Sequence, residues 1–184
     1  MRIVGGKYRN RRLHPPREME ARPTTDFAKE GLFNILQHSV PLEGIRVLDL
    51  FAGTGNIALE FLSRGAEEVI SVEQDRTLFA FQQRTARELQ LPNWHHVRAD
   101  VFTYLRGAGA GSGAYDIVFA DPPFALENTA QLPALVREAG VLAPDGLLII
   151  EHPKEVNMSA DPWFSKHRPY SNVHFSFFTP RPAP

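Results

Sequence analysis

Residues 47–60 read VLDLFAGTGNIALE, an apolar run that turns through two glycines into a helical pattern. The first four residues have the apolar character of a buried strand, and one acid, Asp49, stands near its end. Gly53 and Gly55 permit a tight turn that passes close to a ligand, and the helix that follows begins with free N–H groups. The stretch therefore predicts a strand–loop–helix unit with a small molecule bound at the turn.

The rest of the chain alternates strand-like and helix-like segments around this unit. Thr24, Thr25 and Asp26 can cap a further helical segment, FAKEGLFNILQH, and the tail containing HFSFF predicts one or two closing strands. Strands that alternate with helices favour a mostly parallel sheet covered on both faces, which is an α/β fold. The predicted strands are 46–51, 68–73, 95–99, 115–120 and 147–151, and the predicted helices are 56–63, 76–90 and 126–141, the last with a potential break at Pro133.

The composition is that of a globular protein without membrane or disulfide features. The chain has 184 residues, of which 43% are hydrophobic and 22% charged, and it contains no cysteine. One domain is expected at this length, and the sequence has neither a bilayer-spanning apolar run nor the apolar centre of a secretory signal. The absence of cysteine excludes disulfides and thiolate metal sites. We expect a cytoplasmic, monomeric protein that needs no metal.

The first 23 residues are far more basic than the rest of the chain. They contain seven basic and two acidic residues, a surplus of five, so the remainder sums to −6 within a net charge of −1. Gly5 and Gly6 lie between two short segments that end before Pro15, which predicts a hairpin. This asymmetry indicates contact with nucleic acid phosphates, although a solvated arm has the same composition. The basic residues are Arg2, Lys7, Arg9, Arg11, Arg12, Arg17 and Arg22.

A second acid indicates which kind of ligand the glycine loop binds. Glu73 ends the next predicted strand, where a carboxylate can accept hydrogen bonds from both hydroxyls of a ribose. The residues from Gly53 onward also satisfy the dinucleotide pattern G-x-G-x-x-G/A, so the loop alone is consistent with NAD. Asp49 favours S-adenosyl-L-methionine, because a carboxylate repels pyrophosphate and attracts an ammonium group, by about 4 kcal/mol at ~4 Å and an effective dielectric of ~20.

A third acid, Asp100, follows the next predicted strand. The glycine loop, D-x-F-x-G-x-G, looks like the first motif of class I methyltransferases, and in that class an acid at this strand end usually accepts a hydrogen bond from the adenine amino group, with Val101 or Phe102 against the adenine ring. An aspartate after a strand is also a common helix cap. The presence of acids at three successive strand ends favours the cofactor role.

Residues 121–124 read DPPF and directly follow the predicted strand 115–120. An aryl amine is a poor nucleophile, because its lone pair is delocalised into the ring. A carboxylate and a proline carbonyl close to the amine hydrogens favour a pyramidal nitrogen, and an aromatic side chain can stack on a base that has left its helix. The stretch resembles the [D/N/S]-P-P-[Y/F/W] motif of methyltransferases that act on exocyclic or amide nitrogens, and this resemblance implies N-methylation of a base, with a simple strand-ending turn as the alternative. The predicted catalytic residues are Asp121, Pro122, Pro123 and Phe124.

Nearly the whole chain resembles the RsmD family of bacterial methyltransferases, which modify the guanine N2 of small-subunit ribosomal RNA. The resemblance is carried by MRIVGGKYRNRRL, RPTTDFAKEGLFNIL, RVLDLFAGTGNIALEFLSRGA and DIVFADPPF. It implies a class I, Rossmann-like methyltransferase domain over residues 23–184, preceded by a basic RNA-contacting hairpin over residues 1–22. It also implies that Arg22 and Thr24 lie close to the cofactor and the substrate. The expected cofactor-binding residues are Asp49, Phe51, Ala52, Gly53, Thr54, Gly55, Glu73, Asp100, Val101, Arg22 and Thr24, and the expected RNA contacts are Arg2, Lys7, Arg9, Arg11 and Arg12.

Two positions depart from the family pattern. Gly55 is followed by Asn56, Ile57 and Ala58, where relatives more often carry small or apolar residues and a further glycine. Ser171 stands where relatives tend to show glycine after tyrosine. Neither change touches the predicted acceptors of the amine. The expected reaction is therefore methyl transfer from S-adenosyl-L-methionine to guanine N2 in ribosomal RNA, within a 30S subunit or an assembly intermediate. The alternatives are a DNA adenine-N6 methyltransferase, an RNA-binding assembly factor with a vestigial cofactor pocket, and an NAD oxidoreductase.

Overall fold

The structure, a computed structural model, describes residues 1–17, 24–107, 115–123 and 127–180. Its helices are α1 (Asp26–Ser39), α2 (Asn56–Ser63), α3 (Arg76–Glu88), α4 (Val101–Gly107) and α5 (Leu132–Ala139), with a 3-10 turn at Thr129–Gln131. None of the helices in these ranges is long and apolar enough to cross a membrane. The strands are β1 (Arg46–Leu50), β2 (Glu68–Val72), β3 (Trp94–Val97), β4 (Tyr115–Ala120), β5 (Leu142–His152), β6 (Phe164–Tyr170) and β7 (Val173–Phe178).

The seven strands form one sheet in the order β3-β2-β1-β4-β5-β7-β6. Strands β1 to β5 are parallel, β7 is antiparallel to β5, and β6 is antiparallel to β7. Val47 and Leu48, successive residues of β1, belong to two different apolar clusters. Successive strand residues point to opposite faces, so a separate core lies on each face of the sheet. The mostly parallel α/β architecture predicted from the sequence is confirmed.

Two element predictions near the end of the parallel sheet were wrong. The helix expected over 126–141 is shorter, because α5 begins at Leu132 with a proline in its first turn, where no N–H is needed for helix bonding. Gly140, with φ of 65°, ends α5 and leads into β5, which starts at Leu142 rather than at residue 147. Helix α4, which has seven residues and follows Asp100, was not predicted.

The basic arm pairs with itself and packs on the sheet domain. Arg2 and Arg12 form an antiparallel bridge, and the Leu13 N–H donates to the Met1 carbonyl at 2.9 Å. Ile3 and Leu13 are buried in the same apolar cluster as side chains of α1 and α2. The antiparallel return expected of a hairpin is present, as a single bridge rather than two strands. The proposed boundary at residue 22 lies outside the described residues.

A buried ion pair attaches this arm to the domain. The Lys29 ammonium lies 3.3 Å from the Glu60 carboxylate, and both side chains have 0% exposure. Glu60 also accepts the N–H groups of Val4 at 3.0 Å and Gly5 at 2.7 Å, and it pairs with Arg64 at 3.1 Å. One carboxylate on α2 therefore holds the backbone of the arm, a cation of α1 and a cation of its own helix.

Asn56, the first of the two departures from the family pattern, belongs to the same network. Its Oδ1 accepts a hydrogen bond from Lys29 at 2.7 Å, and its Nδ2 donates to the Thr24 carbonyl at 3.3 Å. Lys29 also donates to the Arg2 carbonyl at 2.5 Å. The asparagine thus joins the start of α2 to the segment that precedes α1.

Ser171, the second departure, occupies the turn between β6 and β7 with φ of 55°, a left-handed conformation that glycine adopts without strain. Ser171→Gly is expected to raise the free energy of unfolding by about 1 kcal/mol, because it removes the clash between Cβ and backbone. In a chain of this size this corresponds to a Tm increase of about 2–4 °C in a thermal melt. Asn172→Gly is the matched control, since Asn172 is not in the left-handed region and should gain nothing. An unchanged Tm for Ser171→Gly would show that the turn carries no strain.

Candidate active site

The carboxyl ends of the parallel strands meet at one edge of the sheet, which we call the carboxyl edge. The register pairs Leu50 of β1 with Val72 of β2 and with Ala120 of β4, and it pairs Ala120 with Ile150 of β5. Ligands of open α/β sheets bind at this edge. The residues one step beyond these four strand positions are Phe51, Glu73, Asp121 and Glu151.

The glycine loop leaves space beside its backbone. Phe51, Gly53 and Gly55 all have positive φ, of 58°, 57° and 79°. A Cβ at Gly55 would meet the Trp94 ring at 2.4 Å, so this glycine is required both by its conformation and by packing. A Cβ at Gly53 would meet nothing closer than the Phe51 carbonyl at 4.0 Å. The space beside Gly53 is therefore free of other protein atoms, and the predicted contact of this loop with a ligand stays a prediction.

Asp49 is a buried acid with one carboxylate oxygen that no described residue contacts by a hydrogen bond. The side chain is 1% exposed, and the Ala58 N–H of α2 donates to its carboxylate. Its Oδ2 has no hydrogen-bond partner within the described residues. Burial, with a smaller effect from Glu73, raises the pKa of Asp49 to about 8. A buried carboxylate without a counterion is destabilised, and an ammonium group placed against it would relieve that cost.

Glu73 is fixed at the carboxyl edge by two backbone donors. Its Oε2 accepts the Gly53 N–H and its Oε1 accepts the Asp75 N–H, both at 2.8 Å. Gln82 of α3 also donates to the Gly53 carbonyl at 2.7 Å, which ties the loop to the neighbouring helix. A carboxylate has about four acceptor positions, so two remain for the hydroxyl groups of a ribose.

Asp100 is a helix cap, the alternative that the sequence left open. Its Oδ1 accepts the Thr103 N–H at 2.9 Å in the first turn of α4. Val101 is buried at 3% exposure, whereas Phe102 is partly exposed and packs edge-on against Phe51 at 6.1 Å between ring centroids. Contact of Asp100 with an adenine stays a prediction.

Asp121 stands at the end of β4, beside the glycine loop. Its N–H donates to the Leu50 carbonyl at 3.3 Å, which continues the ladder between β4 and β1. Burial, and then the neighbouring carboxylates of Glu151 and Asp49, raise the pKa of Asp121 well above its usual range. Pro122 is buried and Pro123 is exposed. Phe124 lies outside the described residues, so its predicted stacking on a base stays a prediction.

Glu151 is an acid of this site that the sequence did not single out. It is 3% exposed at the end of β5, and the Thr24 hydroxyl donates to its Oε2 at 2.8 Å. This bond places Thr24 at the carboxyl edge, and the implied closeness of Thr24 to cofactor and substrate stays a prediction. Arg22 falls among the residues that the structure does not describe. The signal available in the sequence was Glu151 itself, which ends a predicted strand as Glu73 does.

The predicted RNA contacts differ in how freely they face solvent. Arg2 pairs with Asp26 at 3.1 Å and approaches Glu30 at 4.0 Å, so part of its charge is neutralised. Lys7, whose ammonium lies over the Tyr8 ring, is exposed. The remaining three predicted contacts, Arg9, Arg11 and Arg12, are exposed as well.

These residues fit S-adenosyl-L-methionine. The unpartnered Asp49 oxygen suits its amino group, the open backbone at Gly53 admits its chain, and the spare acceptors of Glu73 suit its ribose. The predicted loop contacts Ala52 and Thr54 lie in the same turn, where the Ala52 N–H donates to the Val72 carbonyl and the Thr54 hydroxyl to the Met1 sulfur. When bound, the cofactor would supply an electrophilic methyl group next to Asp121. Within the described ranges, no group of three or more His, Cys, Asp or Glu side chains is arranged to hold a metal.

Comparison with known proteins gives one family for the chain. A family model described as Conserved hypothetical protein 95 matches residues 1–179. The chain is 34% identical over 170 residues to the Ribosomal RNA small subunit methyltransferase D of Escherichia coli, a match that covers 91% of this chain and 83% of that protein. It is 29% identical over 182 residues to the protein of the same name from Buchnera aphidicola, with 97% and 91% covered.

Solved structures support the fold. A hypothetical protein of Thermus thermophilus is 30% identical, with a TM-score of 0.84 over 97% of this chain and 99% of the other. An S-adenosylmethionine dependent methyltransferase from Mesorhizobium loti, 20% identical, has a TM-score of 0.54 over 67% of this chain and 52% of the other. The second likeness concerns the fold alone. Together they confirm the class I methyltransferase fold expected from the sequence.

Proposed function

The chain belongs to the family described as Conserved hypothetical protein 95, and from that premise we propose that it transfers a methyl group from S-adenosyl-L-methionine to guanine N2 in small-subunit ribosomal RNA. Relatives at 29% and 34% identity carry the name Ribosomal RNA small subunit methyltransferase D. The substrate is a 30S subunit or an assembly intermediate, and the enzyme acts as a cytoplasmic monomer without a metal. Residues 1–22 serve RNA binding, and residues 23–184 form the catalytic domain.

The observation that carries this proposal is the adjacency of Asp49 and Asp121 at the ends of neighbouring strands. Leu50, which follows Asp49, is paired with Ala120, which precedes Asp121, in the β1–β4 ladder. Asp49 offers its free oxygen to the cofactor ammonium, and Asp121 offers its carboxylate to the hydrogens of the amine. Because the strands fix both groups, substrate amine and methyl group meet without covalent catalysis, and orientation of this kind supplies about 7–11 kcal/mol of the barrier.

The acceptor amine is oriented by two oxygens of the DPPF motif. The Asp121 carboxylate and the Pro122 carbonyl accept the two hydrogens of the amino group, which draws the nitrogen lone pair out of the ring plane and towards the methyl carbon. Pro123 prevents competing N–H donation to the same oxygens. The guanine must leave its stack to reach this edge, and Phe124 then packs against its face.

The exposed arginines of the arm provide a prediction about RNA binding. Changing Arg9, Arg11 and Arg12 together to glutamine is expected to weaken binding of small-subunit RNA, because each lost phosphate contact releases one counterion fewer. In a titration at several salt concentrations, the slope of log K against log salt should fall by about 0.7–0.9 for each contact. The melting temperature should not change, since the three side chains are exposed.

A matched triple variant tests whether position matters rather than net charge. Arg76, Arg87 and Arg98 are also exposed but lie on α3 and after β3, away from the arm. Their replacement by glutamine removes the same charge and should leave the salt slope close to that of the wild-type protein. Equal slopes for the two triple variants would make the arm a solvated extension.

The proposed function is tested by transfer of labelled methyl groups. Unmodified small subunits, naked small-subunit RNA and duplex DNA are offered with S-adenosyl-L-methionine, and the modified nucleoside is identified by mass spectrometry. The expected product is N2-methylguanosine in ribosomal substrates only. N6-methyladenine in DNA would support the DNA methyltransferase alternative. Tight cofactor binding without any transfer would favour the non-catalytic assembly factor, and a nicotinamide fluorescence change on titration with NADH would favour an oxidoreductase.

A further inference from the structure

Phe27 of α1 is a large apolar side chain that lies on the surface of the protein. Its exposed fraction is 65%, and no other large hydrophobic side chain in the described part of the chain is exposed. Its ring packs edge-on against that of Tyr170, at the end of β6, with 6.1 Å between the ring centroids. A single exposed apolar residue is ordinary in a soluble protein, so its significance depends on what supports it and where it lies.

Tyr170 is fixed beside Phe27 by contacts with a helix and with a strand. Its hydroxyl donates to the Gly31 carbonyl of α1 at 3.2 Å, and its ring packs edge-on against buried Phe175 at 5.8 Å between centroids. A Cβ at Gly31 would overlap the Tyr170 ring, so only glycine lets the tyrosine lie against the helix. Glycine inside a helix costs about 1 kcal/mol relative to alanine. The two rings therefore form a fixed surface, which we call the aromatic platform, and the glycine that permits it makes α1 itself less stable.

The aromatic platform lies at the carboxyl edge, together with Asp121. Because β7 is antiparallel to β5 and β6 is antiparallel to β7, β6 runs parallel to β5 and ends at this edge with Tyr170. The ladders pair Glu151 with Phe175 and Phe175 with Arg168, so Arg168 is level with Asp121, three strands away. Three strand spacings of about 4.8 Å put these two positions ~14 Å apart along the edge. Tyr170 lies two residues further along β6, on the side where ligands of the sheet bind.

Cations lie on both sides of the aromatic platform. On the side of β6, Arg168 is exposed, and Lys166, two residues before it, is partly exposed. On the side of the basic arm, Arg2 pairs at 3.1 Å with Asp26, the residue before Phe27. This pair offsets the negative charge next to the platform and connects the platform to the arm. A surface that combines cations with an accessible aromatic ring is typical of sites for single-stranded nucleic acid.

We propose that the aromatic platform stacks an unpaired base of the RNA substrate, close to the target guanine in the RNA chain, and that Arg168 contacts the phosphate beside that base. This inference rests on the proposed function for the identity of the substrate. RNA loops and bulges present bases that are free to stack on aromatic side chains, whereas the bases of a duplex are stacked on one another. Because every base has a π-face, the platform recognises single-stranded character and not one particular base.

The first test is binding of naked small-subunit RNA by variants of Phe27. Phe27→Ala is expected to raise Kd by about 5–150-fold, the range for the loss of one stacked base. The slope of log K against log salt should not change, because no charge is removed. Phe27→Leu keeps an apolar side chain without a π-face and should lose most of the same affinity, whereas Phe27→Trp should retain it. The Tm should stay at the wild-type value in all three variants, since the side chain is exposed.

The second test concerns the cation beside the platform. Arg168→Gln should lower the salt slope by about 0.7–0.9, as expected for one lost phosphate contact. Arg76→Gln is the matched control, because Arg76 is also exposed but lies at the start of α3. It should leave the slope at the wild-type value. An Arg168→Gln slope equal to that of Arg76→Gln would overturn the proposed phosphate contact.

These tests separate the inference from the function on which it rests. Weaker binding of naked RNA by Phe27→Ala and Phe27→Leu, with an unchanged salt slope, supports the platform even if the methylated base is not guanine. Wild-type affinity in both variants overturns the platform even if the wild-type protein forms N2-methylguanosine. Wild-type affinity in Phe27→Leu alone would show an apolar contact without stacking. Weaker binding of assembled small subunits, with unchanged binding of naked RNA, would show that Phe27 contacts a ribosomal protein. Either of these last two results also overturns the inference.

Discussion

Asp121→Ala is expected to lower kcat for methyl transfer by about 10²–10⁴-fold, while the Kd for S-adenosyl-L-methionine stays within a few-fold of wild type. In the proposed mechanism, the side chain accepts a hydrogen of the amine and receives its proton, so both contributions are lost together. In the proposed site, cofactor binding is assigned instead to Asp49, Glu73 and the open backbone at Gly53. The measurement is a single-turnover assay with saturating cofactor, combined with calorimetric titration of cofactor into the RNA-free variant.

Two further variants separate orientation of the amine from proton acceptance. Asp121→Asn keeps one carbonyl acceptor but cannot take the proton, so a loss smaller than in Asp121→Ala would measure the orienting part alone. Asp116→Asn is the matched control on the same strand, because Asp116 is exposed and accepts the Arg46 N–H at 2.8 Å at the opposite end of β4. If Asp121→Ala instead loses cofactor affinity and retains kcat, Asp121 is a cofactor ligand and the proposed mechanism is wrong.

The position of Asp49, Glu73 and Asp121 could be predicted from the sequence because it requires only the parallel sheet. Each acid stands at the end of a short apolar run, and parallel strands put their carboxyl ends at one edge. The same reasoning locates the glycine loop, since left-handed residues at 53 and 55 are needed for the turn into α2. At this edge the local sequence pattern and the order of the strands lead to the same placement, so the three acids could be located without knowledge of contacts between distant residues.

Glu151 could not be placed in this way, because its position beside Asp121 depends on strand order rather than on its own surroundings in the sequence. Only the pairing of β5 with β4 brings it level with Asp121. The hydrogen bond from Thr24 joins residues 127 positions apart, and the spacing of apolar residues along the sequence does not predict a contact over that distance. Asp100 shows the converse difficulty, since its local role as a cap of α4 is visible in the structure, and a second role needs a ligand.

The burial of Lys29 could not be predicted from the sequence either, because a lysine in an amphipathic helix normally lies on the face exposed to solvent. In this protein α1 packs under the basic arm, and the lysine side chain has 0% exposure. The arm had been predicted as a charged extension, but Ile3 and Leu13 show that it also closes over a core. Burial of a cation is therefore a consequence of how the arm folds back, which composition does not reveal.

Lys29→Met is expected to lower the free energy of unfolding by about 3 kcal/mol, and the Tm by about 6–12 °C for a chain of this size. The change removes the ammonium next to Glu60 and leaves Asn56 and the Arg2 carbonyl without their donor. The loss is at the lower end for a broken buried pair, because Glu60 keeps Arg64. Urea titration measures it, and Lys154→Met, at an exposed lysine, should have little effect.

A double variant shows whether the loss comes from the charge left on Glu60. Glu60→Gln keeps an acceptor for the Val4 and Gly5 N–H groups but removes the negative charge. Combined with Lys29→Met, it should cost less than the sum of the two single changes, with a coupling of about 1–3 kcal/mol.

Because the network also holds the arm, Lys29→Met should weaken RNA binding although every exposed arginine is intact. Additive losses, or a single-variant loss below about 1 kcal/mol, would show that the buried pair does not anchor the arm.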